Sequence, residues 1–410
     1  MDLRNLPNHL SPTECCEERR QQIEKELSID LSALSIDPQK LGHAEKRNCE
    51  QMFGHVPIPV GYAGPLPVTF SSGETTEIHL PLATTEGALV ASVNRGCKAL
   101  RLSGGVKTAS TYHGVTRSIA FRVKNKELRI KNNEEKEICV REKEWKNIGE
   151  ATSKHLKILK YDIDTKDDYI FLTIYADTDE AMGMNMVTIA AEAIGQWLAE
   201  NLNAEFITVA ANVDSDKKPS KRTHDRGRGY EVTATTTVPA DILQSVLKTT
   251  PESLLQIAHV KLELGSEIAG AIGKNCHAAN IIAALYLATG QDPAHVVEGS
   301  LADTTVHTAT LTQALSLQRE RESDSIQIST RLPALLVGIR GGGTTLPAQS
   351  QCLKLLLKPD IYHLKPTQRL AESIGAAVLA GELSLLAALA SNDLAGAHQN
   401  LGRTVQSMLL

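Results

Sequence analysis

The 410-residue sequence is most informative at first through what it lacks. It has no run of roughly 18 uninterrupted apolar residues of the kind a membrane helix requires, and its opening, MDLRNLPNHLSPTECCEERRQQ, has no apolar core of a secretion signal. The expectation is a cytoplasmic chain with no membrane partner. Its seven cysteines are odd in number and show neither CxxC nor Cys/His ligand spacing, which excludes a disulfide framework and leaves no metal site in view. Basic residues number 43 against 48 acidic ones, a net charge of -5. A chain without a positive surplus is a poor nucleic-acid binder, because such proteins must meet the phosphate charge. Low-complexity segments and fixed-period repeats are absent, and no GxGxxG follows a first strand, so a Rossmann domain is not expected.

What is present is ordinary globular material, 42% hydrophobic and 22% charged, in a chain long enough for two or three domains. A polar helical arm is predicted over residues 11–35, opening on SPTE with capping-box spacing. The Pro/Gly-rich GHVPIPVGYAGPLPV forbids helix, and EIHLPLA reads as a strand leading into a helix that begins near Glu86. Further on, a strand at 118–123, a charged helix at 133–153, strands at 156–163 and 169–175 around DTKDD, a long helix at 181–202 and a strand at 205–211 give the order β-α-β-β-α-β. That order predicts a ferredoxin-like small domain inserted into a larger one. The stretch from 220 to 410 reads as largely helical, with NIIAALYLATG apolar on every side and therefore central. The predicted fold class is α+β and multidomain, a large mainly helical domain around a central helix with the small domain inserted.

Several stretches carry candidate chemistry, each with an ordinary alternative. In LATTEGALVASVNRGCKAL, Thr84 or Thr85 reads as a helix cap and Glu86 as a first-turn acid favoured by the helix dipole, or as a carboxyl placed for catalysis. Glu180, Gly183 and Asn185 of DEAMGMNM sit at a helix start suited to an anion, although Met at helical spacing is more often core. The run Gly341 to Gly343 is either a turn or a backbone cradle for phosphate. His277 and His398 read equally as structural histidines, and Asp292 as an N-cap. The basic run DKKPSKRTHDRGRG reads as a solvated loop or an anion site.

Together VPIPVGYAGPL, TTEGALVASVNRGCKA, EAMGMNM, DSDKKP, NCHAAN, YLATGQD, GGGT and GELSLLAALA followed by a histidine resemble the 3-hydroxy-3-methylglutaryl-CoA (HMG-CoA) reductases of class I, in the family's order from about Glu50 onward. The resemblance implies NADPH-dependent four-electron reduction of HMG-CoA to mevalonate and CoA. It implies a homodimer or homotetramer with active sites between subunits. It assigns an N-terminal helical region to residues 1–54, the HMG-CoA-binding domain to 55–117 and 220–410, the NADP-binding domain to 118–209, and a connecting catalytic loop to 210–219.

By motif, the resemblance makes Glu86, Lys217, Asp292 and His398 catalytic. Lys217 would stabilise the oxyanion, His398 would protonate the departing thiolate, and Glu86, coupled to Asp292, would protonate the aldehyde oxygen. It assigns substrate contacts to Arg117, Asn212, Lys218, Lys261, His277 and Asn280, with Arg95 and Lys98 directed at the CoA phosphates. Cofactor contacts fall on Ser153, Lys154, Glu180, Met182, Gly183, Met184, Asn185, Arg340, Gly341, Gly342 and Gly343. Four positions depart from the pattern: Glu180 stands for Asp, Ala210 for Ser, Gln51 for Asn, and Ile339-Arg340 for Thr-Val. The extra methylene of Glu180 is expected to carry its carboxylate toward the cofactor. Arg403-Thr404 resembles a regulatory phosphorylation pair. The alternative reading is a non-catalytic or altered-specificity acyl-CoA-binding relative.

Overall fold

The computed structural model of the chain describes residues 6–7, 9–27, 32, 35, 42–124, 134–309, 325–358 and 363–391. Helix α1 (Pro12–Leu27) opens with the predicted capping box, in which Ser11 N donates to Glu14 and Glu14 N donates to Ser11 Oγ. Strands β1 (Val60–Thr69) and β2 (Thr75–Ala83) form a hairpin closed by Ser71-Ser72-Gly73, with Gly73 at φ +87. Helix α2 (Leu89–Leu102) returns the chain so that β3 (Val106–Val123) pairs parallel to β1.

β3 is 18 residues long and belongs to two sheets. Its first half pairs with β1 and with β7 (Gly229–Val238), and its second half with β5 (Tyr169–Asp177) and β6 (Ala204–Thr208). The change occurs at Gly114, where φ is +91 and the register with β7 shifts. Only glycine takes that conformation at no steric cost, and the bulge turns the strand out of one sheet into the other.

The second half of β3 heads a compact unit. Helices α3 (Glu134–Val140) and α4 (Glu142–Glu150) are followed by the hairpin β4 (Lys157–Lys166) and β5 (Tyr169–Asp177), then α5 (Met184–Asn201) and β6 (Ala204–Thr208). The strands are ordered β6-β3-β5-β4 and all pairings are antiparallel. α4 and α5 bury Trp145, Val187, Ile194 and Leu198 against Ile119, Phe121, Leu172 and Ile174 of the sheet. The predicted single charged helix is two, broken at Arg141, and the second long helix begins three residues late because Gly183 takes a left-handed N-cap conformation.

Among the described residues the remainder is largely helical, as predicted, but it also contributes three strands to the larger sheet. After α6 (Lys221–Arg226), β7 (Gly229–Val238) joins the larger sheet. Helices α7 (Ala240–Leu247) and α8 (Pro251–Ala258) follow, with a π-helical turn at His259–Gly265. Next come α9 (Ala278–Thr289), the short helix α10 (Val296–Gly299), and β8 (Asp303–Thr308) and β9 (Ile326–Leu335). The order β2-β1-β3-β7-β9-β8 puts three strands of this segment in the sheet. β7 and β8 are Thr-rich, so few large apolar residues mark their alternation in sequence, and β9 carries Pro333.

Helices α11 (Pro347–Leu356) and α12 (Pro366–Ala390) complete the described fold. α12, rather than α9, is the most enclosed element, with 20 of its 25 residues buried. Its small residues admit close neighbours: a Cβ added to Gly96 of α2 would lie 1.9 Å from Ala380 O. α12 is long and apolar enough to cross a membrane by length and composition, yet 83% of its apolar window is buried inside the protein, as in a core helix.

Candidate active site

A cleft of about 950 Å³ opens between the start of α5 and the end of α9. One wall is the start of α5, where Gly183 caps with backbone alone and leaves the first-turn amides of Met184 to Met186 without a capping side chain. Opposite lies the Gly341 to Gly343 loop. Gly343 packs so closely on the end of α9 that a Cβ on Gly290 would lie 2.3 Å from its carbonyl oxygen. Gly341 and Gly342 have φ of +78 and +55, and an added Cβ there would meet nothing. The loop therefore presents bare backbone to the cleft. Ser153, Met182, Asn185 and the exposed Arg340 also line it, whereas Lys154 does not.

The floor holds Lys217, Asp292 and Arg117. Lys217 Nζ lies 2.8 Å from Asp292 Oδ2, while Asp292 Oδ1 accepts from Ala294 N. The N-cap and the ion-pair readings of Asp292 are thus both true of it. Burial pushes the Asp292 carboxyl up, but the Lys217 bond, the Ala294 amide and the charges of His295 and Lys217 outweigh it and hold it below the ordinary aspartate value. Arg117 reaches Asp216 at 3.3 Å and Asp214 at 3.6 Å, and donates through Nε to Thr188. Asp214 is pushed up chiefly by burial against the pull of Arg228 and Arg117. In Asp216, burial is overcome by Arg228, His295 and Arg117, and its carboxyl is held low.

Glu86 stands elsewhere. It lies in the loop before α2, whose N-cap is Ala88 at φ +69 without a side-chain bond, and Thr84 Oγ1 accepts from Glu86 N in a local turn. The helix-cap reading is therefore overturned: neither Thr84 nor Thr85 caps α2, and Glu86 precedes the helix. Its carboxylate accepts from Asn280 Nδ2 at 3.2 Å, at the first turn of α9. Asp292 follows the last turn of that helix, so within one chain the two carboxylates sit at opposite ends of it, roughly 15 Å apart along its axis. The predicted coupling of Glu86 to Asp292 and Lys217 is absent within the chain, and Glu86 is exposed there.

Other predicted residues distribute between these groups. His277 N and Cys276 N both donate to the buried Glu382 of α12, which anchors the start of α9, and His277 Nε2 is buried without a partner. Lys261 lies in the π-helical turn, a geometry frequent at functional positions. Asn212 is exposed at φ +61, and Lys218 Nζ donates to Asp216 O. Arg95 does not point freely outward: it donates to Ser384 O at 2.7 Å and to Ser384 Oγ, fastening α2 to α12, with Lys98 exposed nearby. The Glu180 carboxylate, expected to approach the cofactor, turns away from the cleft and accepts from Thr367 N in the first turn of α12. Met184 is core, and Met182 and Met186 pack against the same cluster. His398, Arg403 and Thr404 lie outside the described residues.

Sequence reasoning missed three residues beneath Lys217. Arg228 and Glu298, 1% and 0% exposed in their side chains, pair at 2.7 Å, and His295 is fully buried beside them. In sequence Arg228 belongs to the basic run that reads as a solvated loop or an anion site. Of that run, Arg222 and Arg226 pair with Asp162 and Lys221 with Asp225, so the surface is not a free basic one. The signal available was the spacing of Asp292, His295 and Glu298, which places every third residue on one side of a tight turn.

A family model described as hydroxymethylglutaryl-coenzyme A reductase matches residues 15–403. The 3-hydroxy-3-methylglutaryl-coenzyme A reductase of Methanothermobacter thermautotrophicus is 39% identical over 98% of this chain and 96% of its own length. That of Pyrococcus abyssi is 39% identical over 94% of this chain and 92% of its own. Among solved structures, the class II enzyme of Streptococcus pneumoniae, described as bound to NADPH, superposes with a TM-score of 0.65 over 91% of this chain and 96% of its own, at 19% identity. That likeness is one of fold.

Proposed function

The chain belongs to the hydroxymethylglutaryl-coenzyme A reductase family, and on that footing we propose that it reduces HMG-CoA to mevalonate and free CoA with NADPH. The observation that carries the reading within the molecule is the Lys217–Asp292 ion pair on the floor of a cleft walled by open glycine backbone.

The cleft suits a phosphate-bearing nicotinamide. Gly341 and Gly342 offer unobstructed backbone, the α5 amides supply a positive helix end, and Arg340 adds a cation. Ser153, which lines the cleft, is the residue we assign to the 2′-phosphate; Lys154, expected to share that role, lies outside the lining. A bound reduced nicotinamide supplies hydride; the protein's own groups manage the charge and the protons. The Lys217 ammonium stabilises negative charge on the carbonyl oxygen of the thioester and of the aldehyde. Asp292, held below the ordinary carboxylate range, remains ionised at neutral pH. It therefore orients the ammonium and is not itself the acid. The proton for the aldehyde oxygen falls to Glu86, and that for the CoA thiolate to His398.

Glu86 and Asn280 at one end of α9, and Lys217 and Asp292 at the other, form two half-sites. We assign them to one active centre built from two copies of the chain, in which the partner covers the exposed Glu86. We further read the β6-β3-β5-β4 unit as ferredoxin-like and cofactor-binding, and the chain as a class I reductase acting as a soluble cytoplasmic homodimer or homotetramer. The test is oxidation of NADPH and of NADH by purified protein with HMG-CoA, read with mevalonate and thiol release. NADPH is the preferred donor on this account. Folded protein with no turnover on either nicotinamide refutes it and favours an acyl-CoA-binding relative.

A further inference from the structure

The backbone of Lys217 is at φ +57, a left-handed conformation disfavoured for a side-chain-bearing residue. Such a conformation persists where surrounding contacts over-determine it. The contact here is specific: Lys217 N donates to Glu298 Oε1 at 2.6 Å, a charge-assisted bond across 81 residues of sequence. The same oxygen accepts from Arg228 Nη1 at 2.7 Å and faces His295 Nδ1 at 3.3 Å.

Arg228 spends its whole fork on this junction. Nε donates to Thr116 Oγ1, Nη2 to Asp216 Oδ1, and Nη1 to Glu298, so it joins β3, the lysine loop and α10. His295 completes the frame from the other side, its Nε2 3.7 Å from Asp292 Oδ2. The ammonium's acceptor, Asp292, and the amide's acceptor, Glu298, thereby flank the buried His295. Asp216, His295 and Glu298 could each offer a metal-ligand atom within 4.8 Å of one another, but Arg228 already donates to two of the three and fills the place of a cation.

We propose that Glu298, locked by Arg228 and His295, is a positioning residue that sets the backbone of Lys217 and so aims its ammonium at Asp292. The proposal rests on the reading of Lys217 as the oxyanion-stabilising group. Stability alone is a weak reason for the arrangement, since a buried ion pair can often be replaced by apolar side chains of similar volume at no loss. A fixed backbone for a catalytic lysine is a stronger one, because a displacement of about 1 Å can cost on the order of 100-fold in rate.

The experiment compares Glu298→Ala with Glu298→Gln, whose amide oxygen retains an acceptor of the same reach. Glu298→Ala is expected to lower kcat by about 100-fold with KM for HMG-CoA little changed, and Glu298→Gln to recover most of the loss. A second readout needs no turnover: acylation of Lys217 by an N-hydroxysuccinimide ester, mapped by peptide mass spectrometry against Lys218 as internal standard. Release from Asp292 in Glu298→Ala makes Lys217 react severalfold faster relative to Lys218. If Glu298→Ala lowers the melting temperature while kcat per folded molecule and the Lys217 to Lys218 ratio stay at wild-type values, Glu298 is structural only and the proposal is overturned. Should the alanine variant not fold, the Arg228→Met, Glu298→Leu pair, which replaces the ion pair by apolar volume, is read the same way. If the wild type itself does not turn over, the function fails, and the labelling ratio alone decides the proposal.

Discussion

Lys217 is tied at both ends, its amide to Glu298 and its ammonium to Asp292, and each tie has a measurable consequence. Lys217→Ala removes the group assigned to stabilise the oxyanion, and kcat is expected to fall by about 1,000-fold with the far-UV circular dichroism unchanged. A rate within a few-fold of wild type would remove Lys217 from the chemistry. Asp292 carries a pH signature. Its folded pKa lies below the 3.8 of a free aspartate, so its stabilising contribution is fully present above 3.8 and is lost as the pH falls through the folded value. The difference in urea midpoint between wild type and Asp292→Asn should therefore be constant near neutrality and shrink below pH 3.8. A difference that stays level through that window would mean that the pair does not hold the carboxyl low. Lys217 and Asp292 were legible because each sits in a long motif. Arg228 and Glu298 were not, since their meaning arises only from a contact between residues 70 apart in sequence.

At the scale of elements, Glu180 shows how a substitution can be misread from sequence. The added methylene was expected to push a carboxylate toward the cofactor, but the side chain serves as a remote cap on α12. Removing a helix cap costs about 1 kcal/mol. Glu180→Ala is accordingly expected to lower the melting temperature while leaving KM for NADPH unchanged, and a KM rise without loss of stability would restore the cofactor reading. The β-α-β-β-α-β order was legible because alternating and helical periods changed at recognisable turns such as DTKDD. The helix start at Glu86 was misplaced because Gly87 and Ala88 form an uncapped turn that has no side-chain signal. β8 and β9 were missed for a different reason: β8 is short and polar and β9 runs through Pro333, so their strand character is evident only in their pairing with each other and with β7.

For the whole molecule, the Glu86–Asn280 pair and the Lys217–Asp292 pair lie at opposite ends of α9, and the proposed function reads them as two half-sites. Closed two-fold assembly can bring the Glu86 end of one copy to the Lys217 end of another. The motifs taken singly do not state this, because both ends read as one constellation; the resemblance to the family is what implied active sites between subunits. The most direct measurement co-expresses Lys217→Ala and Glu86→Gln chains with different tags and purifies the mixed oligomer through both. Each variant alone is expected to be inactive. In a mixed dimer, one centre receives both lesions and the other receives none, so activity should return to about half that of wild type. A mixed oligomer that is folded, assembled and as inactive as its parents would contradict an active site shared between subunits.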